Sequence, residues 1–492
     1  MAFMLRVSVS YFDHPELPLS GDPWFYYWQS FFSVHGRPYI DPFNLIFANK
    51  AVPASDHPPL TTFLGAVCDF YGLSTYFEHQ VIWSIIGTGT VLLIGVLTKN
   101  IAGERAGELA CILACIYPGL WINDTLIESE TIVQFLVVLI LWLAYRHWRN
   151  PSYWSSVFLG GVIGLDLMAR SEDVLLLVIV VVPLTLAARR SESSARGPLL
   201  GSVSWGHFLS KPKSVGVVDR IAAAWKAATT WGSTIASSGR GDLLPRSIRI
   251  KMFAALSGTT ILICAPWVVH NLTTFKKTEI ISTQLGRTLI GANCPGAYSG
   301  SLEGYWDYQC QLSNPPPPGD QSISDAYYRD QAIHYALNHK SRWIPVIYAR
   351  LGRTWGFYDP INNLGIDEYL QRPYWASVWQ LIMYYLMLPS ALAGFFMLKR
   401  RKIPTIYFLA PIIVVTVATV VTYGTTRFRA AAEPSLIVLA AIAELGWSSR
   451  LAGTDQDNRR GAGRIKLLIK KVFRDLVGIS HDTSPDYDHV SV

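Results

Sequence analysis

Hydrophobic residues in this chain fall in long unbroken runs rather than in alternation with polar ones. Nine runs approach the roughly twenty residues that an α-helix needs to cross the hydrocarbon of a bilayer. They lie near 80–98, 105–122, 131–147, 153–169, 173–188, 251–270, 376–398, 404–423 and 430–447. The pattern predicts an all-α, polytopic membrane protein with about nine visible spans. Polar segments divide it: a first loop at 1–79, spans at 80–188, a loop at 189–250, a span at 251–270, a loop at 271–375, spans at 376–447, and a tail at 448–492.

Basic residues stay on the cytoplasmic side of a membrane and so give the orientation. Arg189 to Lys251 holds eleven Lys or Arg against three acids, and Lys399-Arg400-Arg401-Lys402 and Arg146 with Arg149 mark two more inner loops. The 1–79 segment has three basic residues against seven acids. It belongs outside, as does 271–375, and nine spans alternate consistently between these assignments, leaving the tail inside. An outer segment of that length calls for a preceding membrane helix. Met1 to Tyr11 is therefore read as the tail of such a helix in a chain that starts upstream, which would make ten.

Composition agrees. Half of the residues are hydrophobic and only 16% are charged, and seventeen Trp with twenty-four Tyr suit a chain with many water–lipid boundaries. The net charge of +7 comes from blocks between apolar runs, so it reads as topology and not as a nucleic-acid surface. In the tail, Ile465, Leu468, Ile469, Val472, Phe473 and Leu476 recur at helical spacing among Arg464, Lys466, Lys470, Lys471 and Arg474. That pattern predicts a basic amphipathic helix lying on the inner leaflet or docking a partner. Cys68, Cys111, Cys115 and Cys264 sit in or beside apolar runs and read as small hydrophobes. Cys294 and Cys310 share a polar loop, where an oxidising compartment would join them in a disulfide.

The chemistry collects on the outer face. Parity places Asp22 and His57 there from the first loop, Asp124, Glu128 and Glu130 after the second span, Arg170, Glu172 and Asp173 after the fourth, and Arg427, Arg429 and Glu433 around the ninth. Charges at this depth are costly unless paired, solvated or used. Arg170 with Glu172 reads either as an interfacial ion pair or as part of a site. Arg427 and Arg429 stand outside against the positive-inside trend, and a guanidinium pair suits a phosphate. Asp22, between Gly21 and Pro23, is either an N-cap or a general base. His57, stiffened by Pro58-Pro59, is either structural or a phosphate contact. Trp24, Tyr26 and Tyr27 read as interface anchors or as platforms for a sugar or prenyl chain. No His or Cys cluster has metal-ligand spacing, so no metal site is assigned; a divalent cation held by carboxylates, Glu130 among them, stays open.

On these motifs the chain resembles the polyprenyl-phosphate-dependent membrane glycosyltransferases of GT-C fold, in the family of protein O-mannosyltransferases and lipid A aminoarabinose transferases. Gly21-Asp22-Pro23-Trp24-Phe25-Tyr26-Tyr27 is similar to that family's acidic motif after its first helix. Asp56-His57-Pro58-Pro59-Leu60 resembles its Lys-Pro-Pro-Leu element, with His57 in place of Lys. Leu126-Ile127-Glu128-Ser129-Glu130 resembles its acidic turn, and Met168-Ala169-Arg170-Ser171-Glu172 its Leu-x-Arg-Pro-Glu element, with Ser171 for Pro. Pro266-Trp267 with His270-Asn271 resembles its Pro-Trp and Arg-Asn signature. Gly291 to Cys294, Gly304-Tyr305-Trp306, Cys310 and Arg427-Phe428-Arg429 before Glu433-Pro434 look like actinobacterial members. The match spans most of residues 20–447.

The resemblance implies a GT-C bundle at the cell membrane with an extracytoplasmic site. Asp22 would serve as base. His57, Glu128, Glu130, Arg170, Glu172, Arg427, Arg429 and Tyr26 would bind a polyprenyl-phosphate sugar, mannosyl or arabinosyl, and an envelope glycan, lipid or protein acceptor. A multi-pass transporter or flippase is the rival; such proteins carry repeats and ionisable groups near the midplane, and neither is read in this sequence.

Overall fold

The computed structural model describes residues 1–13, 16–19, 21–186, 188 and 243–451. The amphipathic tail pattern and most of the basic 189–250 segment lie outside them. Regular structure among the described residues is helical throughout, with an isolated bridge pairing Ile40 with Pro53. The chain divides after Ala443, and the fold that follows is that of Met1–Ala443.

Four helices among the described residues are long and apolar enough to cross a membrane: Tyr76–Ala102, Ser129–Arg149, Arg246–Thr274 and Tyr374–Arg400. Leu60–Phe70, Tyr153–Leu167 and Ile406–Val421 are apolar but shorter. Local chemistry sets several ends. Thr75 and Glu78 form a reciprocal capping box that starts Tyr76–Ala102, and Gly103, at φ 95°, closes it. Ser152 and Ser155 cap Tyr153–Leu167 in the same way.

That helix lies along Arg246–Thr274, and two glycines one turn apart allow it. A Cβ on Gly160 would come 2.2 Å from the Leu256 carbonyl oxygen, and one on Gly164 would come 2.8 Å from Ile263 Cβ. Thr260 Oγ1 uses the proximity to donate to the Gly160 carbonyl at 2.9 Å. Small residues in this spacing let apolar helices meet where lipid supplies no hydrophobic drive.

Two expected spans are interrupted. The helix begun at Glu104 stops at Ile116, because Pro118 forces Tyr117 into an extended conformation; two 3-10 turns, Pro118–Leu120 and Asp124–Leu126, replace the C-terminal end of the expected span. The 173–188 run breaks into Val174–Leu176, a π-turn at Leu177–Val181, and Val182–Leu186. A run of β-branched residues disfavours regular helix, and Pro183 cannot donate to the Ile179 carbonyl.

The two long polar segments are also helical. The first holds Ala2–Asp13, Asp22–Val34, Pro42–Ala48 and Leu60–Phe70. Arg6 anchors its first helix: Nε meets Asp124 Oδ2 at 2.5 Å, with both side chains fully buried. The 271–375 segment folds as a cap containing Leu285–Ala292, Gln321–Asn338, Trp343–Thr354 and Pro360–Tyr369. A disulfide joins Cys294 to Cys310 within it. Arg353, fully buried, ties two of its turns by donating to the Glu303 and Ser301 carbonyls, both at 2.6 Å.

Candidate active site

Gly21 takes φ 86°, a conformation that glycine adopts at little cost, and starts Asp22–Val34. Gly21 occupies the cap position, and Asp22, first residue of the helix, makes no capping bond. Its carboxylate turns elsewhere. Arg427 Nη2 lies 2.7 Å from Asp22 Oδ2, and His57 Nε2 lies 3.5 Å from Oδ1.

Arg427 stands on the 3-10 turn Thr426–Ala431 and gathers three acids. Its Nε reaches Glu130 at 2.5 Å, Nη2 reaches the other Glu130 oxygen at 3.2 Å, and Nη1 faces Glu128 at 3.5 Å. Glu128 occupies the N-cap position of Ser129–Arg149 without a side-chain capping bond, and Glu130 lies in the first turn, where the positive end of the helix dipole favours carboxylates. Arg170 completes the group, bonding Glu130 at 3.1 Å and Glu172 at 2.5 Å while its guanidinium lies 5.3 Å from the centre of the Phe428 ring. Five separated segments thus bring Asp22, His57, Glu128, Glu130, Arg170, Glu172 and Arg427 together.

Burial pushes the Asp22 carboxyl up, but the Arg427 guanidinium and His57 outweigh it and hold Asp22 well below the usual carboxylate range. Tyr26, one turn along the helix, is buried beside His57, with ring centres 4.8 Å apart. Burial and the nearby Asp22 and Glu130 raise its hydroxyl well above the ordinary phenol value, so it stays neutral.

Arg429 is placed elsewhere. It is buried, bonds Glu433 at 3.0 Å, and lies 3.9 Å from the centre of the Tyr384 ring. Glu433 also accepts from Tyr117 at 2.9 Å and Gln380 at 2.8 Å. On a 3-10 turn two residues separated by one are about 240° apart, so the two guanidiniums project in different directions. Trp24 is also occupied within the protein, stacked on Phe43 with centroids 4.3 Å apart. Trp267 donates to the Ile281 carbonyl at 2.7 Å and stacks on His270, so this pair folds the cap's first strand of chain back over the helix end. Asp124 serves Arg6 rather than the cluster.

Residues without a recognisable motif support the site. Arg372, buried at the end of the cap, bonds Glu128 at 2.9 Å and Asn123 at 2.6 Å. Asp56, next to His57, is held by Arg287 at 2.5 Å and by Gln321 at 2.6 Å. The Gln321 amide also accepts from the Ser55 backbone at 2.9 Å. The Leu60 backbone N–H donates to the Met168 carbonyl at 2.8 Å, which sets the His57 loop beside the turn carrying Arg170. Charge beside a motif was the only available signal for Arg372 and Arg287, and it does not name a partner.

A divalent cation among Asp22, Glu128 and Glu130 does not fit this arrangement, because the Arg427 guanidinium stands within 3.5 Å of all three and supplies the positive charge. Cys294, Asp307 and Cys310 also approach one another, but both thiols are consumed by the disulfide.

No family model matches the chain, and no curated protein matches it. Among solved structures it is similar to the oligosaccharyltransferase of Archaeoglobus fulgidus in complex with zinc and sulfate, at 14% identity and a TM-score of 0.48 over 92% of this chain and 49% of that one. It is also similar to ArnT from Cupriavidus metallidurans, at 10% identity and a TM-score of 0.34 over 90% of this chain and 77% of that one. With undecaprenyl phosphate bound, ArnT compares at 11% identity and a TM-score of 0.32 over 92% and 79%. The chain spans about half the length of the oligosaccharyltransferase.

Proposed function

We propose that the protein is a membrane glycosyltransferase of GT-C type that moves one sugar from a polyprenyl-phosphate donor to an envelope glycan, lipid or protein on the extracytoplasmic side. The observation that carries this reading is the convergence of Asp22, His57, Arg170 and Arg427 at the ends of apolar helices. An apolar donor chain can lie between such helices while its phosphate stays at the polar cluster.

Asp22 takes the proton of the acceptor hydroxyl. The hydroxyl oxygen bonds to the anomeric carbon from the side opposite the phosphate, the carbon–oxygen bond to phosphate breaks, and the configuration inverts. The departing lipid phosphate carries the negative charge, which Arg427 and Arg170 neutralise. Mannosyl and arabinosyl donors are the candidates. A flippase would need no base, so the test is transfer of radiolabelled sugar from polyprenyl-phosphate donors to native envelope acceptors. Transfer by the full chain that is lost in Asp22→Asn supports the enzyme; donor movement without transfer supports the flippase.

A further inference from the structure

We propose that Arg427 changes partners during the reaction, leaving the Asp22 carboxylate for the phosphate of the incoming donor, so that Asp22 is a free base only when donor is bound. This rests on the function proposed above. As it stands, the site has the wrong balance for an anionic ligand. Arg170, Arg372 and Arg427 face Asp22, Glu128, Glu130 and Glu172, and every guanidinium is already bonded to a carboxylate. A phosphate must therefore draw a guanidinium from one of these acids.

Exposure and bonding together identify which one. Arg372 is 2% exposed, and Glu128 and Glu130 are 3% and 1%. Two pairs reach the surface, Arg427 with Asp22 and Arg170 with Glu172. Arg170 holds Glu172 through both Nε and Nη2, whereas Arg427 holds Asp22 through Nη2 alone, so the Arg427–Asp22 contact is the one that yields. Phosphate oxygens match a guanidinium in geometry, and the donor's phosphodiester offers it two anionic oxygens where Asp22 engages it with one. Glu128 and Glu130 remain bonded to Arg427 when Asp22 is released, so the guanidinium pivots without leaving the site.

The exchange also answers a chemical difficulty. A carboxylate paired at 2.7 Å with a guanidinium is a poor proton acceptor. Once Arg427 turns to phosphate, the groups facing Asp22 are His57, Tyr26 and Tyr423, with Glu128 and Glu130 behind and Arg170 on the far side of Glu130. With Arg427 withdrawn, burial still pushes the Asp22 carboxyl up and its strongest opponent is gone, leaving His57 to pull it down. Acceptor deprotonation then depends on donor binding, which keeps the base idle in the empty enzyme.

The test is calorimetric titration of the full chain in nanodiscs with polyprenyl phosphate at pH 4.5, in buffers of different ionisation enthalpy, which counts protons taken up on binding. Wild type is expected to take up more protons on binding than Asp22→Asn. Arg427→Gln, in which Asp22 has already lost its partner, is expected to show weaker binding and no Asp22-dependent uptake. Should Asp22→Asn not fold, Asp22→Ser takes its place, and the lipid phosphate's own proton exchange, common to both proteins, cancels in the difference. Binding with equal proton counts in wild type and Asp22→Asn overturns the exchange and leaves the glycosyltransferase reading standing. No binding of polyprenyl phosphate to wild type overturns that reading, and the exchange with it.

Discussion

Arg372 Nη2 lies 2.9 Å from Glu128 Oε2, joining residues 244 positions apart, and both side chains are almost fully buried. The pair fastens the end of the cap to the acidic turn that leads into Ser129–Arg149. Removing one member of a buried pair leaves the other charge unpaired at a cost of about 3 to 5 kcal/mol. Arg372→Met is therefore expected to lower the thermal unfolding midpoint of the purified protein, and adding Glu128→Gln is expected to recover part of the loss. Equal stability of Arg372→Met and wild type would show that the pair contributes little.

Arg427 and Arg429 are expected to separate by phenotype. Arg427→Gln removes the guanidinium that faces the departing phosphate and is expected to reduce transfer about 100-fold while the protein stays folded. Arg429→Gln breaks the buried bond to Glu433 and is expected to lower the unfolding midpoint with donor KM unchanged. Steady-state kinetics and melting of the two variants decide it; a raised donor KM in Arg429→Gln would return Arg429 to the phosphate site.

Glu279 in the cap supplies a pH dependence. It is 4% exposed, and burial with the neighbouring Asp325 pushes its carboxyl up from 4.5 to about 7, against the pull of Arg329 at 3.8 Å. Below 4.5 the group is protonated whether the cap is folded or not. Between 4.5 and 7 the unfolded chain ionises while the folded one keeps its proton, so stability present at low pH is lost as pH rises through 7. The difference in unfolding midpoint between Glu279→Gln and wild type is expected to grow from pH 4.5 to 7 in favour of the variant, then level off. A difference that does not vary with pH would refute it.

Arg6 and Asp124 are expected to matter for folding and not for chemistry. Asp124 accepts from Arg6 and, at 2.7 Å, from Thr131, and a Cβ on Gly87 would come within 2.0 Å of its carboxylate. Arg6→Met or Asp124→Asn alone is expected to destabilise by about 3 to 5 kcal/mol, and Arg6→Met with Asp124→Leu by much less. Melting of the two singles and the double gives the coupling; additive losses would show that the residues act independently.

Much of the site could be read from the chain because its acids and arginines occur beside apolar runs, where an unused charge is costly. Glu128, Glu130, Arg170, Glu172 and Arg427 all stand out in this way, while Asp22 and His57 are legible from the Gly21-Asp22-Pro23 and His57-Pro58-Pro59 contexts in the first polar loop, and the structure brings them together. Arg429 stood out for the same reason and went to Glu433, because adjacency in sequence does not tell which way a side chain on a tight turn projects. Arg372, Arg287 and Gln321 lie in polar surroundings that carry no such signal.

What the sequence determined by itself was the helical class, since unbroken apolar runs have few other ways to satisfy their backbone groups in a membrane. Tertiary structure alone decided that the cap is held by buried arginines and that Asp22 is bonded to Arg427. Ion-pair partners hundreds of positions apart are chosen by packing of whole helices, and no local pattern records that choice.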